Sequence, residues 1–212
     1  IGLAAAAIAH IPFAPYTPSK STWHFHRALA CARIDQVDAA LDELERAVQA
    51  EPENADAHLW RGYLEAEQGA HAEALAHYEA ALRAAPDNAM AHNNAGYEWA
   101  RRGNADTAEL HYRKAIELDP FYERAMVNLG LLLAKQNRYD EAVVLYEQVL
   151  KLNPKHAAAH MYWGDVLGET GRLDEATERY EQALALEPAL ERARRHLEVV
   201  RKALPDAGEP EA

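Results

Sequence analysis

Cysteine is almost absent: Cys31 stands alone, which excludes an intrachain disulfide framework and any metal site built on several thiolates. Aromatic residues are sparse, at 8%, although 49% of the chain is apolar. Alanine supplies much of that apolar share, which favours closely packed helices. Basic residues are in the minority, 22 Lys and Arg against 34 Asp and Glu, for a formal charge of −12. That balance excludes a protein that wraps nucleic acid or coats an anionic membrane. No run reaches the ~18 apolar residues of a membrane span. Ten glycines and ten prolines in 212 residues are too few for a collagen or a flexible linker protein. The length suits one ordinary domain or a short repeat array with a real core.

The few glycines and prolines are not scattered. Pro52, Pro86, Pro120, Pro154 and Pro188 are 34 residues apart, as are Gly62, Gly96, Gly130 and Gly164. Gly69, Gly103 and Gly171 keep the interval, with Asn137 at the skipped site. A fixed period of this size marks a solenoid or array. With each proline at position 32, the units are 21–54, 55–88, 89–122, 123–156 and 157–190. Position 20 is always alanine (Ala40, Ala74, Ala108, Ala142, Ala176). Position 24 reads Leu44, Tyr78, Tyr112, Tyr146, Tyr180. With positions 27 and 28 also apolar, the second half of each unit has one helical face. The first half is weaker; its positions 3, 8, 10 and 11 are small or apolar except Glu65 and Glu98. Glycine at 8 and alanine at 20 mark a close helix–helix approach. Glycine at 15 suits a helix end with positive φ. Acids such as Asp38, Glu73, Asp106, Asp140 and Asp174 open the second helix, where they complement its dipole. Proline stops that helix.

These residues resemble the tetratricopeptide repeat family, whose pattern runs Trp-x2-Leu-Gly-x2-Tyr, Ala, an aromatic, then Pro. The best-matching unit offers Met126, Leu129, Gly130, Leu133, Ala142, Tyr146 and Pro154. The resemblance spans residues 21–190 without gaps. It implies an all-α, right-handed superhelix of helical hairpins with a C-terminal capping helix over 191–204. Position 4, usually aromatic, is His24, His58, His92, Met126 and His160. Unit 21–54 has Arg27 and Ala28 where Leu-Gly is usual, which predicts a weak first helix and a degenerate end unit.

The ends fall outside the period. Ile1 to Ile11 is apolar and alanine-rich but shorter than a bilayer span. Three readings stay open: the last turns of a membrane helix that starts upstream of Ile1, a signal-type remnant in which Ala7-Ile8-Ala9 resembles a cleavage site, or a helix that docks on the repeats or a partner. The first would tether the chain to a membrane, in a layout like that of bacterial multi-pass, glycosyltransferase-like proteins with repeats at one end. Pro12, Pro15 and Pro18 have the polyproline period, so residues 1–20 end in a stiff spacer. The tail 205–212 reads as disordered.

The resemblance also places function. In the family, first helices line a concave groove read mainly by positions 2, 5, 6, 9, 12 and 13, which bind a protein or peptide partner. Here those positions supply His26, Trp60, Tyr63, Asn93, Asn94, Tyr97, Arg101, Arg124, Asn128, Lys135, Tyr162 and Asp165. Asn94 and Asn128 each carry a donor and an acceptor for an extended backbone. The aromatics are low-entropy contact area. Arg101, Arg124 and Lys135 predict a cationic middle suited to an acidic segment. The family's carboxylate clamp matches at Asn94 and Arg124 but fails at Leu59, Tyr63 and Asn128. Self-association into a scaffold is the alternative, as is a regulatory role at the end of a larger membrane protein. No cofactor is implied. Histidines one repeat apart are too distant to share a metal ion, since helices pack ~8–10 Å apart. No phosphate loop, His-Glu-x-x-His pair or nucleophile elbow is present, and Cys31 is expected as an inert buried thiol.

Overall fold

Every unit carries two helix starts and two stops, and the chain obeys them. The computed structural model describes residues 18–204, so the apolar lead-in up to residue 17 and the tail 205–212 lie outside the described residues. Those described form α1 (Lys20–Arg33), α2 (Val37–Ala50), α3 (Ala55–Glu67), α4 (His71–Ala84), α5 (Ala89–Arg101), α6 (Ala105–Leu118), α7 (Glu123–Lys135), α8 (Tyr139–Leu152), α9 (Ala157–Glu169), α10 (Leu173–Leu186) and α11 (Glu191–Ala203). Caps set the starts: Asn54 and Asn88 side chains accept the Ala57 and Ala91 N–H groups at 2.9 Å. Position 15 sets the turn, with positive φ at Gly69, Gly103 and Gly171 and equally at Asn137 and Asp35. The polar side chains of the last two tolerate that left-handed backbone better than most.

The units pack as antiparallel hairpins stacked into a right-handed superhelix. The alanines of position 20 and the residues of position 24 are buried in all five units. Position 28 is only half-buried and seals the edge of the core. At the far end α11 lays Ala193, Leu197 and Val200 over the cluster around Tyr180. The first unit is better ordered than its sequence suggests: α1 is a full helix, starts at Lys20 and is capped by Ser19, whose Oγ accepts the Thr22 N–H. Cys31 is half-buried, not buried as expected, and lies at the margin of the cluster around Ala28 and Leu44.

Each hairpin is closest at position 8. A Cβ on Gly62, Gly130 or Gly164 would sit 2.8, 2.5 or 2.8 Å from the tyrosine ring of the same unit. In the first unit Ala28 replaces glycine and Leu44 replaces tyrosine, so the added methyl is matched by a smaller partner.

Position 4 faces position 23 across each hairpin. His58 Nδ1 meets His77 Nδ1 at 2.9 Å, and His92 Nδ1 meets His111 Nδ1 at 3.0 Å. The Nε2 atoms of His58 and His92 each donate to a proline carbonyl, Pro52 or Pro86, at 3.0 Å. The Nδ1 atoms of these neutral rings must therefore accept, and His77 and His111 donate. A further proton would set two N–H groups against each other. Burial, helped by the Arg61 guanidinium and His58, pushes His77 down to about 4. Burial and His92 lower His111 as well. The corresponding pairs are His24 with Glu43 and, in the fourth unit, Met126 with Leu145.

Two tests follow from this packing. Gly130→Ala will cost about 1–3 kcal/mol in urea unfolding despite alanine's better helix propensity. Adding Tyr146→Leu, which copies Ala28 and Leu44, will recover most of that loss. His77 and His111 bind protons more weakly folded than unfolded, so their contribution to stability is full above pH 6.5 and falls as pH drops toward 4. Replacing His58 and His92 by Met, with His77 and His111 by Leu, copies the fourth unit. The variant will flatten that decline by about 1–3 kcal/mol in unfolding curves run across the interval.

Candidate functional site

The odd-numbered helices form the inner face. Contacts of α5 with α7, α7 with α9 and α9 with α11 close it, skipping the intervening second helices. A cavity of about 380 Å³ opens there. α3 contributes Tyr63, Ala66 and Glu67, α5 contributes Asn93, Asn94, Tyr97 and Glu98, and α7 contributes Arg124 and Asn128. His71 and Tyr78 of α4 complete the wall. The Tyr63 and Tyr97 rings are 40% and 49% exposed.

The asparagines are linked. Asn128 Nδ2 donates to Asn93 Oδ1 at 2.9 Å, and Asn93 Nδ2 donates to Asn94 Oδ1 at 3.1 Å. Asn93 is 1% exposed and acts as the bridge. The sequence expectation gave Asn94 and Asn128 a donor and an acceptor each. The bridge uses half of that capacity. It leaves Asn94 Nδ2 as donor and Asn128 Oδ1 as acceptor, neither with a protein partner among the described residues.

A second cavity, about 400 Å³, is lined by Lys135, Tyr146, Tyr162, Asp165 and Arg192, among others. Asp165 accepts from Tyr180 Oη at 2.9 Å, Arg192 at 2.7 Å and His196 Nδ1 at 2.6 Å. It is a brace that holds α11 to α9 and α10, and its lone pairs are largely spent. Tyr146 lacks such an acceptor because Leu131 occupies the position of Asp165, and its buried hydroxyl has no partner. Burial pushes the Tyr146 and Tyr180 phenols well above their ordinary range, and Asp165 adds to both shifts. A larger cavity, about 490 Å³, lies among α6, α7 and α8 and has an apolar floor that includes Leu129 and Leu133.

The predicted residues therefore divide. Tyr63, Asn93, Asn94, Tyr97, Arg124 and Asn128 share the first cavity; Lys135, Tyr162 and Asp165 share the second. Trp60 packs on the first unit's core and meets the Tyr63 ring edge-on at 5.8 Å between centroids. His26 is exposed on α1. The expected cationic middle does not form. Arg124 opens α7 while Arg101 closes α5 and Lys135 closes α7, so parallel helices set them at opposite ends of the face. Arg101 instead lies 3.5 Å from Glu98 Oε2. Glu98 and His71 were not among the sequence candidates. The available signal was the carboxylate itself, at position 10, where other units carry Ala30, Leu64, Leu132 and Val166. Among the described residues no group of three or more His, Cys, Asp or Glu side chains could hold a metal ion, and no helix is long and apolar enough to cross a membrane.

Comparison with known proteins agrees with this architecture. The family model of the tetratricopeptide repeat matches residues 32–89, 72–123 and 127–190. The crystal structure of PilW, a widely conserved type IV pilus biogenesis factor, is similar at TM-score 0.80 and 22% identity, over 90% of this chain and 89% of that one. YrrB, described as a TPR protein with an unusual peptide-binding site, is similar at TM-score 0.69 and 22% identity, over 85% and 91% of the two chains. MamA from Desulfovibrio magneticus RS-1, residues 41 to the end, gives TM-score 0.72 and 18% identity over 83% and 99%. No curated protein sequence matches.

The brace at Asp165 is open to test. Asp165→Ala removes the acceptor of the Tyr180 hydroxyl and the anchor of Arg192 and His196. It will lower stability by about 1–3 kcal/mol, and hydrogen exchange will show faster opening of α11 than of α5.

Proposed function

The chain belongs to the tetratricopeptide repeat family, and from that premise we propose that it is a non-enzymatic scaffold whose inner face holds an extended segment of a partner protein. The observation that carries the reading is the asparagine bridge. An extended backbone presents N–H and C=O groups along one edge. Asn94 Nδ2 offers the donor and Asn128 Oδ1 the acceptor that such an edge requires. Buried Asn93 holds both amides in orientation, so little rotamer freedom is lost on binding. Tyr63 and Tyr97 flank the pair as exposed, rigid aromatic surface of the kind that dominates binding energy. Peptide binding in YrrB, a structure of similar fold, supports the reading.

A displayed library of random ten-residue peptides, selected on the full chain, tests it. Selected peptides will bind the Asn94→Ala/Asn128→Ala variant about tenfold or more weakly, as expected for loss of two hydrogen bonds. Circular dichroism will verify that the variant is folded. Equal affinity for both proteins would sink the proposal.

A further inference from the structure

Glu98 occupies a position that the other units fill with alanine, leucine or valine, and Leu64, Leu132 and Val166 are buried there in the core clusters. It is 1% exposed, and burying a carboxylate is costly unless every lone pair finds a donor. Its donors fall short. His71 Nδ1 lies 3.3 Å from Oε1 and 3.2 Å from Oε2, and Arg101 Nε lies 3.5 Å from Oε2. No hydrogen bond is aligned on Oε2, which is buried and orphaned. This carboxylate lines the inner-face cavity, with Tyr63, Tyr97 and Glu67 about it. Glu67 and Glu98 fall in the last turns of α3 and α5, whereas Arg124 opens α7, so the cavity has an anionic end and a cationic end.

Resting on the reading of this face as a peptide groove, we propose that the Glu98 end of the cavity takes the ammonium or guanidinium of a basic side chain in the bound segment. The aliphatic stem lies between the Tyr63 and Tyr97 rings, which attract a cation through their faces. The charged head supplies Glu98 Oε2 with the aligned donor that His71 and Arg101 do not, and a charge-assisted hydrogen bond results. Arg101, exposed at the helix end, has room to move aside. The sequence expectation of an acidic segment is thereby reversed at this end of the face.

The test is an NMR titration of the full chain with N-acetyl-lysinamide, N-acetyl-argininamide and the uncharged N-acetyl-norleucinamide. The two basic amides will shift the backbone resonances of Tyr63, Tyr97 and Glu98, with affinity at least about fivefold above the norleucine analogue. Glu98→Gln and Glu98→Leu will abolish that preference. Leucine is the residue at this position in two other units, so the second variant retains the fold. Absence of a preference, or its survival in both variants, would falsify the inference. A Glu98 that merely pins α4 to α5 would change the unfolding midpoint and leave the preference intact. Peptides that need Asn94 and Asn128 but show no Lys or Arg at a fixed position overturn this inference alone. Binding of the basic amides without any selected peptide overturns the groove proposal alone.

Discussion

The contact on which the structure depends is that of a bare glycine under a tyrosine ring. In three hairpins the two helices approach until position 8 has no room for a Cβ beside the ring at position 24, and at Gly96 in the fourth such hairpin a Cβ would be tight at 3.0 Å. That approach brings the position 20 alanine against the opposite helix and leaves it wholly buried. Because the same contact recurs every 34 residues, each hairpin has nearly the same internal geometry. Near-identical units stacked by a constant operation produce a regular superhelix. The first unit shows that volume matters more than residue identity. Ala28 with Leu44 fills the space of Gly with Tyr, and the helix forms fully although it lacks the usual pair.

The same tyrosines couple the core to the inner face. Their rings are core and their hydroxyls reach toward position 9 of the neighbouring first helix. What stands at position 9 decides the local chemistry. Asp165 accepts the Tyr180 hydroxyl and then gathers Arg192 and His196, which locks the terminal helix. Leu131 accepts nothing, and the Tyr146 hydroxyl is left without a partner. Tyr63 and Tyr97 stand out from the surface as contact area. The core contact and the exposed chemistry of the inner face thus share one register of the repeat.

That sharing explains what could be read in the sequence. Residues with a repeated role carry a periodic signal, so Gly62, Ala74, Tyr78 and Pro86 announce the hairpin in any one unit and confirm it in the next. Position 15 was legible where asparagine replaces glycine, since Asn137 adopts the same left-handed backbone; Asp35, which the sequence did not single out, adopts it too. The position rule for the inner face collects Tyr63, Asn93, Asn94, Tyr97, Arg124 and Asn128, which do share a cavity. It also collects Lys135, Tyr162 and Asp165, which line the second cavity. It does not foresee that Arg101 lies against Glu98 or that Asp165 is bonded to Tyr180, Arg192 and His196, because such contacts depend on which end of a helix a residue occupies and on charges one repeat away. Those facts are three-dimensional and have no period. The facing of His58 with His77 has the same character: a separation of 19 residues becomes a contact only once the hairpin is closed. Departures from the period were the remaining signal, and Glu98 was the informative one.

Among the described residues three carboxylates are buried, Glu43, Glu65 and Glu98, and the contrast between the first and the last makes the final point. Glu43 is buried on α2 and completely provided for: His24 Nδ1 donates at 2.6 Å and Arg46 at 2.8 Å, with Arg27 at 3.5 Å. The His24 hydrogen bond, with the charges of the two arginines, holds its carboxyl below the usual range even against burial. Such a group has spent its bonding capacity on the fold. Glu98 is buried as deeply, faces a cavity instead of a helix, and keeps an oxygen without an aligned donor. Asn94 and Asn128, which line the same cavity, keep a free donor and a free acceptor. Polar capacity left open is costly to a fold. Buried polar atoms without partners occur in the second to fifth units, but it is in the cavity between α3, α5 and α7 that one of them lies beside the free amide groups of Asn94 and Asn128. There the open groups face a cavity, whereas the Glu43 carboxylate has its donors within its own hairpin.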